Sequence, residues 1–255
     1  MLSIQNLDKS FGGVHATRDV SIDFPDGSLT AIIGPNGAGK TTFFNLISGA
    51  NLPDSGKVIF EGQDLVGKSC VEVVRLGMAR AFQVAALFPS LTVTEAITAA
   101  VISHQRSSWM LFKRFPLGEA KEPVEEIIEL LGLESKASTL SRNLSHGDQK
   151  LLDIGLSLAM KPKILLLDEP TAGMGPDERW RMIGKVQDLW RAKKMTVLFI
   201  EHDMDIVFKI AQKIYVLKYG AVLAQGTPDE IRSNQDVIDA YLGTDHHLAQ
   251  EVGVK

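Results

Sequence analysis

The sequence predicts an α/β fold, and three observations predict it. The apolar run Leu29-Thr30-Ala31-Ile32-Ile33 passes directly into a glycine-rich loop, Gly34 to Thr41, and then into a helical pattern. A second apolar run, Ile164 to Leu167, ends in the adjacent carboxylates Asp168 and Glu169. Between the two, Thr92 to Lys161 carries helical periodicity, which places a helical insertion inside an otherwise alternating α/β pattern.

Residues 2–7 and 20–24 alternate apolar and polar and predict two strands, and Pro25-Asp26-Gly27 turns the chain into the buried strand Leu29 to Ile33. Thr42 to Ser48, with Gly49 just beyond, reads as a helix and its C-cap. Lys57 to Phe60 is a short strand entering the Glu61-Gly62 turn, Val71 to Leu76 is helical, and Ala79 to Pro89 is less regular. In the helical stretch, Val124, Ile127, Ile128 and Leu131 form one apolar face, and Leu151, Ile154 and Leu158 another. Ser103 to Pro123 is polar and contains Trp109, Phe112 and Phe115; a loop, a partner-facing edge and a helix end all fit it. After Pro162 the alternation returns, with the strand Ile164 to Leu167 and a helix from about Pro176 to Lys193. A strand Thr196 to Ile200 and two short strands near Ile214 to Leu217 and Val222 to Ala224 follow. The sequence has no internal repeat, and the tail from Asp245 to Lys255 is polar and expected to fray.

Composition narrows the function classes. With 45% hydrophobic and 23% charged residues in 255, the chain has enough apolar material for a large core and is not a disordered or fibrous sequence. A formal charge of −4, from 27 Lys+Arg against 31 Asp+Glu, supplies no basic field for a polyanion, so nucleic acid is not an expected partner. The single cysteine, Cys70, closes no internal disulfide and points to a reducing compartment. Met1 to Phe11 lacks the basic and apolar regions of a secretory signal, so export is not expected. No apolar run approaches the ~20 residues that span a bilayer, so membrane association is expected through a partner.

Gly34-Pro35-Asn36-Gly37-Ala38-Gly39-Lys40-Thr41 matches G-x-x-x-x-G-K-[ST]. Small residues let successive amides turn toward a phosphate, Lys40 reaches the outer phosphates, and Thr41 offers a hydroxyl to Mg²⁺. With glycine near its background usage, a chance match in a chain this long has a probability of order 0.01, and the strand before and helix after lower it further. At the end of the second buried strand, Asp168 suits a Mg²⁺ ligand and Glu169 a group that orients water. Leu144-Ser145-His146-Gly147-Asp148-Gln149 precedes a helix and reads, by itself, as an N-cap or as a second anion site.

Together with the glycine loop and Leu167-Asp168-Glu169-Pro170-Thr171, that segment resembles the signature of ATP-binding cassette (ABC) ATPases, whose usual form is L-S-G-G-Q. Ser145 and Gly147 are retained, whereas His146 and Asp148 depart from it. The resemblance covers nearly the whole chain: Phe11 stands where the family stacks an aromatic on adenine, Gln83 at its Q-loop and His202 at its switch histidine. Gly175 stands where the family commonly has the D-loop aspartate. Ala79-Arg80-Ala81-Phe82-Gln83, Leu87 to Val93, Thr171 to Met174, Glu201-His202-Asp203-Met204 and Gly226 to Gly243 are similar to ATPase subunits of branched-chain amino acid importers, a group that includes subunits for urea and short amides.

The resemblance implies a single ABC ATP-binding domain over residues 1–255 with a P-loop NTPase core. The α/β core and an N-terminal antiparallel β portion would take 1–83 and 161–228, a helical subdomain 84–160, and a helical extension and tail 229–255. It implies ATP and Mg²⁺ as cofactors, with Gly34 to Thr42 around the phosphates and Thr41, Gln83 and Asp168 on the metal. Glu169 would polarise water, with Gln83 and His202 completing the catalytic set, and Ser145 and Gly147 would complete the site of an opposite subunit. It further implies a homo- or heterodimer of such ATPases on the cytoplasmic face of the membrane, joined to integral permease subunits and, through them, to an extracytoplasmic solute-binding protein. An exporter ATPase for lipid or polysaccharide shares most of these motifs. A soluble cassette acting on DNA or ribosomes would need heptad arms, a duplicated cassette or a basic face, and none is visible.

Overall fold

Gly12 and Gly13, at φ +53° and +87°, turn β1 (Leu2–Phe11) back into β2 (Val14–Phe24), conformations that cost glycine little. The pairing runs well past the alternating residues read from sequence, because Asp8–Asp19 is held by backbone ladder bonds rather than by an apolar face. Leu2 and Ile4 are buried, and the next buried residue is Leu7, an odd step for a strand. A shift in register between Ile4 and Leu7 rephases the strand, with Asn6 at φ +48° and its backbone N–H donating to Ser21 Oγ at 2.9 Å. β1 also pairs antiparallel with β4 (Ser55–Phe60), and β5 (Gln63–Asp64) completes a four-stranded sheet in the order β2-β1-β4-β5.

The structure, a computed structural model, describes residues 1–81, 88–104 and 120–242. The chain divides into a first unit, Met1–Val73 with Met195–Lys255, and a second, Val74–Lys194. Gln83, Trp109, Phe112, Phe115 and the tail from Asp245 lie outside the described residues.

In the first unit, β3 (Leu29–Ile33) is flanked by the parallel strands β8 (Thr196–Ile200) and β9 (Lys213–Lys218), and β10 (Ala221–Gly226) pairs antiparallel with β9. Every residue of β3 and β8 is buried, as continuous apolar runs in parallel strands require. Phe24 bridges the two layers: its ring lies 6.4 Å from Phe43 on α1 (Lys40–Ile47) and 5.5 Å, edge-on, from Tyr215 on β9. The Tyr215 hydroxyl donates to the Asp23 carbonyl at 2.9 Å, so this wholly buried ring also satisfies a backbone oxygen. The helix α7 (Met204–Ile210) between β8 and β9 was too short to stand out as a periodic segment; Asp203 caps it by accepting from Ile206 N. Two short helices, α8 (Pro228–Arg232) and α9 (Gln235–Leu242), follow β10.

In the second unit, β6 (Met78–Ala81) pairs parallel with β7 (Ile164–Asp168). The sequence expectation of irregular chain from Ala79 is corrected here: Arg80 interrupts the apolar pattern, but its guanidinium is paired within the fold, so the strand forms around it. Helix α2 (Cys70–Leu76) leads in, and α3 (Val93–His104), α4 (Lys121–Leu131), α5 (His146–Leu158) and α6 (Pro176–Lys193) follow. Val124, Ile127, Ile128 and Leu131 are all buried, as their spacing predicts. α4 stops at Gly132, φ +71°, and α5 packs closely on it: a Cβ on Gly155 would lie 2.7 Å from Leu131 Cδ1. Of the second expected face, Ile154 and Leu158 are buried but Leu151 is half-buried and lines a cavity, and Leu152 takes its place in the core. Among the described residues no helix is long and apolar enough to cross a membrane.

Tyr215→Phe keeps the ring and removes the hydroxyl, leaving the Asp23 carbonyl short of a donor. A loss of about 1 kcal/mol in urea-unfolding free energy is expected, with the slope unchanged.

Candidate nucleotide-binding site

Within the first unit, β3 delivers the chain into Gly34-Pro35-Asn36-Gly37-Ala38-Gly39 and α1 takes it away. The glycines at the two ends are fixed by close approach. A Cβ on Gly34 would sit 2.1 Å from the Leu217 carbonyl oxygen, and one on Gly39 2.0 Å from that of Ala16. Gly37 has open space around it, but its φ of +78° still favours glycine. Asn36 and Gly37 are exposed, Gly34 and Ala38 buried and Pro35 half-buried; Ala38 N–H donates to the Pro35 carbonyl at 3.1 Å.

Lys40 is only 6% exposed, and its ammonium donates to the carbonyls of Gly34 at 2.6 Å and Pro35 at 3.1 Å. The cation is therefore built into the loop. Gly39 caps α1 without a side chain, and no acidic residue stands in the first turn, where Thr41 is exposed and Thr42 half-buried. Every other α-helix among the described residues carries Asp or Glu in its first turn. First-turn amides have no intrahelical acceptor and carry the positive end of the helix dipole, so this acid-free turn suits an external anion.

Phe11 ends β1 with 49% of its surface exposed and the Lys9 ammonium 5.4 Å from its ring centroid. His202 is exposed two residues past the end of β8, and its backbone N–H donates to the Glu201 carboxylate at 3.2 Å. Sequence reading missed the supports of the loop: Ala16, Leu217, Gly220, whose N–H donates to the Ala38 carbonyl at 3.1 Å, and Tyr241 of α9. Burial raises the Tyr241 phenol strongly, against the opposing effect of a hydrogen bond from the Gly34 backbone.

The second unit holds the acidic groups. Asp168 ends β7 at 3% exposure, its Oδ2 accepting from Arg80 Nη2 at 2.6 Å. Its other oxygen, Oδ1, is buried without a hydrogen-bond partner among the described residues. A buried anionic oxygen with no donor fits a cation, so the chemistry of Asp168 suits Mg²⁺. Among the described residues no group of three or more His, Cys, Asp or Glu side chains forms a metal cluster. Glu169 follows at φ +48°, a strained conformation for a side-chain-bearing residue, and the buried Lys150 ammonium donates to its carbonyl at 3.3 Å. Arg80 and Lys150 were missed, although a charge inside Met78-Ala79-Arg80-Ala81 was the available signal for the first.

Ser145 is the N-cap of α5, its Oγ accepting from Asp148 N at 3.2 Å and donating to Asp148 Oδ2 at 2.6 Å. Gly147 lies close against α6: a Cβ there would come within 2.3 Å of Glu178 Oε1, so the glutamate side chain would have to move aside. His146 uses Nε2 to reach the Ala172 carbonyl at 3.2 Å, tying the start of α5 to the turn that follows β7. Gly175 caps α6 in an extended conformation with open space around it, so nothing among the described residues requires glycine there.

The ABC transporter family matches residues 17–172, and the branched-chain amino acid ATP-binding cassette transporter family matches residues 221–247. The high-affinity branched-chain amino acid transport ATP-binding protein LivG of Escherichia coli K12 is 38% identical over 251 residues, 95% of this chain and 98% of that one. The probable branched-chain amino acid transport ATP-binding protein LivG of Archaeoglobus fulgidus is 39% identical over 248 residues, 95% of each chain. Among solved structures, a nucleotide-free ATP-binding cassette from an ABC transporter superposes with a TM-score of 0.82 at 32% identity, covering 94% of this chain and 98% of its own. The ADP conformation of an ATP-binding cassette gives 0.82 at 34% identity, covering 95% and 98%.

Burial raises the Asp148 carboxyl, but the Lys136 ammonium and the Ser145 hydroxyl outweigh it and hold the group below the ordinary aspartate range. A lowered folded-state value stabilises the fold at pH above the ordinary range, and that contribution disappears as pH falls through the lowered value. Asp148→Asn is thus expected to be less stable than the parent at pH 7, with the gap between urea midpoints closing toward pH 3. A gap independent of pH refutes the assignment.

Proposed function

Because this chain belongs to the ATP-binding cassette family of ABC transporters, we propose that it is the ATPase subunit of an importer for branched-chain amino acids or related small amides such as urea. The chain is a nucleotide-binding ATPase of that family. The first turn of α1 carries the reading: it is free of acid, has no side-chain cap, and keeps Lys40 folded into the loop beside it. The family match over 221–247 and the names of the relatives support the branched-chain class.

In this reading Phe11 stacks on adenine, the amides from Gly37 to Thr42 wrap the phosphates, and Lys40 exchanges its loop carbonyls for outer phosphate oxygens. The Thr41 hydroxyl, Gln83 and Asp168 would hold Mg²⁺, which neutralises phosphate charge when bound. Glu169 orients and polarises the attacking water, and His202 steadies the γ-phosphate as charge develops on it. Ser145 and Gly147 present the start of α5 to the nucleotide of a second, identical or related cassette. Closure of the pair on ATP drives the integral permease subunits, which an extracytoplasmic solute-binding protein supplies with cargo. The chain then works as a peripheral subunit on the cytoplasmic face of the membrane.

Lys40→Ala is expected to lower affinity for ATP itself, because the anionic phosphates lose the one cation built into the loop. Titration with labelled ATP reads the change, and an unaltered Kd removes Lys40 from this role. Glu169→Gln keeps size and loses charge, so turnover should fall by about 10²–10⁴-fold while ATP-dependent dimerisation persists. Phosphate release measured beside light scattering tests both halves, and turnover near that of the parent overturns the assignment.

A further inference from the structure

One carboxylate oxygen joins three residues at the start of α5. Asp148 Oδ2 accepts from the Ser145 hydroxyl at 2.6 Å and from the Lys136 ammonium. Ser145 Oγ in turn accepts from Asp148 N, so the serine is held in one orientation with its hydrogen turned onto the carboxylate. Lys136 is brought there by the 3₁₀ turn Glu134–Lys136, which follows the Gly132 C-cap of α4 and is closed by Lys136 N–H on the Leu133 carbonyl at 2.9 Å. Lys136, Ser145, Gly147, Asp148 and Arg181 line a cavity of about 550 Å³.

A carboxylate at this position has a cost for the reading proposed above. It favours the helix N-terminus when nothing is bound, yet it competes with a phosphate for the same dipole and the same hydroxyl. The residue usual in the family here is a neutral glutamine, so this chain places a negative charge where an anion must arrive. Lys136 is 42% exposed, and an ion pair so open to solvent adds little to folding. Its larger effect is on the field met by an approaching polyanion.

We propose that Lys136 and Asp148 are positioning residues for Ser145: the ammonium balances the carboxylate, so the serine hydroxyl can turn from Asp148 to a phosphate oxygen of the nucleotide held by a second cassette. The inference rests on the cassette-dimer reading above. When the hydroxyl turns away, Oδ2 keeps its Lys136 partner, and the charge near the incoming phosphate stays cancelled. Without Lys136, the carboxylate retains the serine and repels the phosphate.

The test uses the full chain in the Glu169→Gln background, with ATP-driven dimerisation followed by light scattering and ATP affinity measured on dilute monomer. Lys136→Met should raise the ATP concentration needed for closure by about tenfold and leave monomer affinity within twofold. Added salt should relieve the defect by screening it, which it would not do for a packing fault. Lys136→Met combined with Asp148→Gln should restore closure to within about threefold of the background, since the charge to be balanced is gone. Closure of Lys136→Met at the background ATP concentration, or a double variant as impaired as the single one, overturns the inference alone. Failure of the Glu169→Gln chain itself to dimerise on ATP overturns the dimer reading and this inference with it.

Discussion

Two carbonyl oxygens, those of Leu217 and Ala16, govern the geometry of the phosphate loop. They come so close to Gly34 and Gly39 that neither position has room for a Cβ. The loop is therefore clamped from outside, by the end of β9 at its entrance and by β2 at its exit. That clamp depends on the parallel register of β3 with β9 and on the antiparallel register of β1 with β2. It also depends on the Tyr219-Gly220 turn, where Gly220 donates to the Ala38 carbonyl. An antiparallel hairpin that touches none of the motif residues by sequence is thus part of what sets the curvature of the loop. The buried ring cluster of Phe24, Phe43 and Tyr215 holds the hairpin against the helix that the loop feeds.

In the second unit, charge takes the place of steric exclusion. Asp168 sits at the end of a strand with no exposed residue, where an unpaired carboxylate would be expensive, and Arg80 from the neighbouring strand offsets part of its charge through one oxygen. The other oxygen keeps its buried, unsatisfied position. Glu169 adds backbone strain of the order of 1–3 kcal/mol, as is common where a side chain must take a functional position. Lys150, buried beneath it, binds the Glu169 carbonyl and helps hold that conformation. Both basic residues secure backbone or charge around the carboxylates.

Motif chemistry was legible in the sequence because it is local. The run from Gly34 to Thr41 stands out through its spacing, between a strand and a helix that the structure also shows, and Leu29 to Ile33 and Pro176 to Lys193 were bounded correctly by turn and capping residues. What escaped was set by partners distant in sequence. Arg80 made Met78 to Ala81 look irregular, and its partner Asp168, far along the chain, is what accommodates a charge inside that strand. Leu151 carries the right period for the core but faces a cavity, because period places a residue on a face without saying what the face meets. The hairpin from Asp8 to Asp19 is polar and gave no alternation, yet its ladder is as regular as backbone pairing and two register shifts allow.

The two helix N-termini proposed to take phosphate, those of α1 and α5, are built in opposite ways. α1 leaves its amides without any side-chain acceptor and puts its first-turn lysine back onto the loop carbonyls. An arriving phosphate competes there with loop carbonyls rather than with an anion, which suits a site that binds by itself. α5 is satisfied by its own residues: Ser145 accepts from Asp148 N, and the Asp148 carboxylate holds the serine hydroxyl. A phosphate arriving there must compete with an internal anion, so the site favours ligand only when that anion is balanced and the phosphate is already positioned by other contacts. In the proposed reading this asymmetry implies an order of binding, in which nucleotide loads on α1 first and meets α5 of a second cassette as part of closure. His146 extends that order into the fold, because its bond to the Ala172 carbonyl ties the start of α5 to the turn that carries Glu169. The residues by which this chain departs from the usual signature, His146 and Asp148, are thus the ones that tie the start of α5 to its own chain, and in the proposed reading they make that site conditional.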